Sequence, residues 1–115
     1  MNKIIITISI LLILSSCSEG YIPIQETTTT PTGTVSYQSQ ISPVVTSTCI
    51  GCHSTSNPQG GLLLENYTQV RNATENGNLI QRINDAGNPM PPSGLMPTST
   101  RSLFDQWVTD GYLEN

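Results

Sequence analysis

Several residue types are scarce in this chain, and each shortage narrows what it does. There is one histidine, His53, so no site that needs two imidazoles is available. Four cationic side chains face eight carboxylates, a formal net charge of −4. That balance argues against nucleic acid as a partner and favours basic or charge-tolerant proteins. Aromatic residues make up 5% of the chain, with a single Phe and a single Trp. In a chain of 115 residues, enough for one small domain, that is thin material for a core. Long apolar runs are also missing. Ile4 to Leu14 is apolar except for Thr7 and Ser9, and a membrane-spanning helix needs about 20 such residues.

What is present starts with Cys49-Ile50-Gly51-Cys52-His53. Two cysteines three apart followed at once by a histidine form the c-type haem attachment pattern. Two thiols at this spacing reach the two vinyl groups on one edge of a haem and become thioether links, and the adjacent imidazole falls under the iron as proximal ligand. Competing uses are a thioredoxin-type redox pair, half of a zinc site and an ordinary disulfide. Zinc is short of ligands, because His53 is the sole histidine and Cys17 has another fate. The redox pair wants a βαβ pattern around it, and none is visible.

That other fate lies at the N-terminus. Lys3 and the apolar run after it make a signal peptide over residues 1–16. The run ends in Leu14-Ser15-Ser16-Cys17, which resembles a bacterial lipobox: cleavage before Cys17 leaves its sulfur to carry diacylglycerol, with membrane anchoring by several acyl chains. A plain secretory peptide with Cys17 left over is the alternative. Ser18, and not Asp, follows the cysteine, which by analogy with bacterial lipoprotein sorting points to the outer membrane. Loss of Lys3 with the leader leaves Arg71, Arg82 and Arg101 as the cations. Residues 17–36 form a Thr/Pro-rich linker containing the run Thr27 to Thr30. As flexible coil it has a reach of about 25 Å. The remaining residues, 37–115, are the folded domain.

Within that domain, Ser42 as cap and Pro43 at the first helical position predict a helix with Ile41, Val44 and Val45 on its apolar face. A turn-rich loop, Ser54 to Gly61, follows His53. An axial histidine donates its other ring N–H to a fixed carbonyl, and one between Asn57 and Leu62 is expected, Pro58 first. Asn66 reads as the N-cap of a helix to about Thr74, with Tyr67 and Val70 inward; Asn76-Gly77 breaks it, and Leu79, Ile80 and Ile83 mark another. Asn88 to Pro97 cannot be regular helix or sheet, because prolines at 89, 91, 92 and 97 forbid it. Met90 is therefore held on a stiff loop, where a thioether suits the sixth position of a low-spin haem. Met96, also followed by proline, is the rival sixth ligand. The last helix starts with Thr98 or Ser99 as cap, carries the stripe Leu103, Phe104, Trp107 and Val108, and ends at Gly111. Trp107 or an arginine, Arg82 first, is the candidate partner for a haem propionate.

Taken together, the domain resembles the small c-type cytochrome domains of exported bacterial proteins. The similarity runs from Ile41-Ser42-Pro43-Val44-Val45 through the haem motif and Gln59-Gly60-Gly61-Leu62. It continues through Pro89-Met90-Pro91-Pro92-Ser93-Gly94 to Phe104-Asp105-Gln106-Trp107-Val108-Thr109-Asp110-Gly111. The resemblance implies an all-α, class I cytochrome c fold of three to five short helices around one covalently bound haem c. It implies thioether links at Cys49 and Cys52, and iron held by His53 and Met90. Met96 stands where the family tends to show an ordinary aliphatic residue. The expected function is electron transfer at the cell envelope, lipid-anchored on the periplasmic side or the outer membrane, with redox proteins as partners and no enzymatic step. Two other readings remain: a five-coordinate haem with a peroxidase or gas-binding role, and a haem-free structural or binding lipoprotein.

Overall fold

The computed structural model describes residues 31–115. The expected signal peptide, the lipidated Cys17 and the threonine run lie outside the described residues. At the end of the polar stretch Val35 and Ser36 are already buried, and the Val35 N–H donates to Asp110 Oδ2 at 2.7 Å.

Tyr37–Ile41 form one π-helical turn that winds directly into α1 (Ser42–Thr48). Ser42 was expected to cap this helix, but its own backbone is helical (φ −57°, ψ −42°) and its N–H is bonded to the Tyr37 carbonyl. A helix entered from a turn that is already wound has no orphan N–H for a side chain to satisfy, so the cap is unnecessary. Pro43 does sit in the first turn, as expected. After the haem motif, β1 (His53–Ser54) and β2 (Asn57–Pro58) pair antiparallel, with His53 opposite Pro58. This small pair is absent from the all-α expectation. It is too short to leave a sequence signal, and only the closing of the loop around Thr55 and Ser56 creates it. A 3₁₀ turn, Gln59–Gly61, follows, with Gly60 in the left-handed region at φ 63°.

The helix α2 (Tyr67–Glu75) begins as predicted: Asn66 Oδ1 accepts the Gln69 N–H at 3.0 Å. Val70, Ala73 and Thr74 are its buried side. The chain breaks at Asn76-Gly77 and re-enters helix in α3 (Leu79–Asn84), which buries Leu79 and Ile83. The long irregular stretch after it leads to α4 (Thr98–Thr109), which buries Phe104 and Trp107. Neither Thr98 nor Ser99 caps α4; the N-cap place belongs to Pro97, and Thr98 Oγ1 accepts from Arg101 instead. Gly111, at φ 81°, ends it as expected.

The π turn packs on both α1 and α4, α3 packs on α4, and α2 on α3. Trp107 and Ile41 are fully buried and Phe104 is 1% exposed, each burial being worth ~1.5–3 kcal/mol. The two ends of the domain are tied together. The Leu113 carbonyl accepts both the Tyr37 N–H at 2.7 Å and Trp107 Nε1–H at 2.8 Å, and the Glu114 carbonyl accepts the Gln38 N–H. Around this knot Tyr37, Tyr67 and Tyr112 surround Trp107 with ring centroids 5.3 to 6.3 Å away, mostly edge to face. The domain is thus mostly helical. Its terminal helices meet on one side, and a cavity opens on the other.

Candidate functional site

α1 delivers the haem motif. Its last turn closes with the Cys49 N–H on the Val45 carbonyl at 2.8 Å, and the next turn is held by His53 N–H on the Cys49 carbonyl at 2.9 Å. That tight winding brings both thiols and the imidazole to one wall of a cavity of about 650 Å³. Among the described residues Cys49 and Cys52 are free thiols, not a disulfide. Cys49 is half-buried, and burial pushes its thiol up to about 11. Cys52 is exposed.

His53 Nδ1 lies 3.3 Å from the Leu62 carbonyl oxygen. A carbonyl only accepts, so Nδ1 carries the proton and Nε2 is left with its lone pair for a metal. The partner falls inside the expected span, but it is Leu62 and not Pro58. The cause is the β1–β2 pair: Pro58 is drawn alongside His53 as its strand partner, and the 3₁₀ turn then swings Leu62 back under the ring. The Leu64 N–H returns to the His53 carbonyl at 2.8 Å and closes this loop. A carboxylate clasps it from outside. Glu65 takes the Thr55 N–H on Oε1 at 3.0 Å and the Thr55 hydroxyl on Oε2 at 2.6 Å, which holds its carboxyl below the ordinary range.

The rest of the cavity is mostly apolar. Leu62, Leu64, Ala73, Leu79, Ile83 and Phe104 line it, and the methionine loop supplies Met90, Pro91, Pro92 and Met96. Met90 is half-buried, with its N–H on the Arg82 carbonyl at 3.0 Å; Met96 is 7% exposed and belongs to the core. The structure therefore brings Cys49, Cys52, His53, Met90 and Met96 to one cavity, although Met96 lies 43 positions after His53 in the chain.

Of the two propionate candidates, Arg82 lines the cavity and Trp107 does not. Trp107 is not available for a propionate: its indole N–H is already spent on the Leu113 carbonyl, in the knot at the far end of α4. Gly77 and Thr48 also line the wall, and neither carries a sequence signal that would have marked it.

A volume of this size lies within the ~300–1,000 Å³ usual for cofactor pockets. Two unpaired thiols, one imidazole nitrogen open to a metal, thioether sulfur and apolar walls are the donors and surfaces that a covalent haem needs. Among the described residues no three His, Cys, Asp or Glu side chains gather as a metal-ion site, so a zinc centre has no donor set.

Residues 49–94 match the family described as Planctomycete cytochrome C, and residues 1–18 match the prokaryotic membrane lipoprotein lipid attachment site. The two matches support a cytochrome c domain on a lipoprotein. No curated protein and no solved structure matches the chain. That family implies covalently bound haem, and the attachment site supports a lipid-anchored protein of the cell envelope. The matched stretch begins at Cys49 and ends at Gly94, so it takes in Met90 and stops short of Met96.

Proposed function

We propose that this cytochrome c domain is a mono-haem electron carrier of the class I type, working from a lipid tether at the cell envelope. The observation that carries the reading is the convergence of Cys49, Cys52, His53 and a methionine on one apolar cavity. Cys49 and Cys52 would hold the haem edge and His53 the proximal side of the iron. Met90 would take the distal side, a choice supported by its place inside the family match and on the cavity-facing loop. Bound there, the haem supplies reversible one-electron chemistry.

The chain's own residues set the terms of that chemistry. The Leu62 carbonyl fixes the orientation of the imidazole and its tautomer. A thioether on the iron would favour its reduced state, and Leu64, Leu79, Ile83 and Phe104 give the cavity apolar walls. Arg82 is a cation on the cavity wall and offers a propionate its charge. With Cys49, Cys52 and His53 committed to the haem, the domain would act as a carrier that takes an electron from a reduced protein and passes it to an oxidised one. The negative surface suits partners with basic faces. Ser18 after the lipidated Cys17 favours the outer membrane as the anchoring leaflet.

The test is the spectrum of the purified protein in both redox states. A low-spin, covalently bound haem with the weak red band of sulfur on ferric iron is expected. Met90→Ala removes that band and Met96→Ala keeps it; the reverse result transfers the ligand to Met96. A high-spin resting spectrum with rapid carbon monoxide binding would replace the carrier by the gas-binding or peroxidase reading. A negative haem stain from a host with working cytochrome c maturation would end both.

A further inference from the structure

Arg101 sits one turn into α4 and is not part of the cavity lining. Its guanidinium nevertheless reaches three separate pieces of chain. Nε donates to the Met96 carbonyl at 3.0 Å, Nη1 to Asn84 Oδ1 at 2.6 Å and Nη2 to Thr98 Oγ1 at 3.1 Å. All three acceptors are uncharged. Among the described residues the one side-chain salt bridge is Arg71 with Glu75, so the charge of Arg101 serves this fork and no carboxylate. The pieces it joins are the last residue of α3, the last residue before Pro97, and the start of α4.

Between Asn84 and Met96 the chain has no helix or strand, and Met90 lies in the middle of it. Few bonds close this loop onto the domain. Asp85 Oδ1 takes the N–H groups of Gly87 and Asn88, and Gly94 N–H returns to the Pro91 carbonyl, but these are bonds within the loop. Met90 N–H on the Arg82 carbonyl ties the middle to α3. Arg101 ties the two ends, 12 positions apart, to each other. A planar fork with several donors does this where a lysine would not, because it holds three acceptors in fixed directions at once.

We propose that Arg101 is a positioning residue that keeps the Met90 loop closed over the cavity. The same fork pins the Met96 backbone, so Met96 stays in the core and does not replace Met90. This rests on the reading of Met90 as sixth ligand. Arg101 does not line the cavity and bonds only Met96, Asn84 and Thr98, so it acts through the ends of the loop. An outside ligand takes the sixth position only after the thioether withdraws, and withdrawal requires the loop to lift. Opening is therefore coupled to breaking the fork.

Imidazole binding to the ferric holoprotein measures that opening, followed by loss of the sulfur-to-iron band. Arg101→Lys and Asn84→Ala should each raise imidazole affinity, on the order of tenfold for a charge-assisted bond, with covalent haem content unchanged. Asn84→Asp places a carboxylate opposite the guanidinium and should lower the affinity and slow the entry. A purely structural Arg101 would shift the melting temperature of these variants without moving imidazole affinity, and Asn84→Asp would give no tightening. If Met90→Ala removes the band, Met96→Ala keeps it and all four proteins bind imidazole alike, the inference is overturned while the Met90 reading stands. If the wild-type protein lacks the band, both fall. Should Arg101→Lys fail to mature, the opposite shifts expected of the two Asn84 variants decide the matter alone.

Discussion

Gly77, at the corner between α2 and α3, offers the sharpest test of the packing behind the cavity. A Cβ added there would lie 2.7 Å from the Ala73 carbonyl oxygen and 3.3 Å from Ala73 C and Cα. Those are backbone atoms of the last turn of α2 and do not swing away as a side-chain tip does. The backbone at Gly77 is not left-handed, so alanine is conformationally acceptable and by itself would stabilise by ~0.4–1 kcal/mol through the unfolded state. Forcing the corner apart costs ~1–3 kcal/mol. The contact wins: Gly77→Ala should destabilise by about 1.5 kcal/mol, a fall of roughly 6–12 °C in Tm for a domain of this size. Because Gly77 and Asn78 line the cavity, the displaced corner also moves the start of α3, which carries Arg82 and Ile83. Thermal unfolding of the haem-loaded protein, followed by far-UV circular dichroism, reads the shift. Gly87→Ala is the control, since its Cβ would meet only Asp85 Oδ1 at an ordinary 3.4 Å. Gly77→Ala as stable as the wild type, beside a neutral Gly87→Ala, would refute the claim that α2 and α3 are locked at this corner.

Two pH effects follow from the same geometry. In the haem-free chain the Cys49 thiol is raised to about 11 by burial, and only a thiolate alkylates readily. Iodoacetamide at pH 9 should therefore label the exposed Cys52 first, and Cys49 should catch up only as the pH nears 11, read by mass spectrometry of peptides; equal labelling at pH 9 would contradict the burial. Glu65 is lowered by its bonds from Thr55, so the clasp contributes fully above the ordinary carboxylate value of about 4.3 and is lost as pH falls through the lower folded value. The Thr55 amide resonance should stay unchanged from pH 8 to 5 and move only below that, whereas in Glu65→Gln it should not titrate at all.

Much of this was written in local sequence. Cys49-Ile50-Gly51-Cys52-His53 specifies the attachment chemistry because the spacing itself is the chemistry, and Leu14-Ser15-Ser16-Cys17 marks the lipid attachment for the same reason. Asn66 and Gly111 set helix ends because a cap and a left-handed stop act over one turn of chain. Prolines at 89, 91 and 92 keep Met90 out of helix by their own covalent rings. Tertiary structure decided whatever needed two distant segments to meet. It chose Leu62 over Pro58 for His53, since a strand pair had first to occupy Pro58. It gave the Trp107 indole to Leu113, because the chain's end folds back on α4. It also set Arg101 between Asn84 and Met96, a contact spanning 17 positions along the chain. Side-chain chemistry declares what a residue offers; only the closed fold determines which partner is within hydrogen-bonding reach.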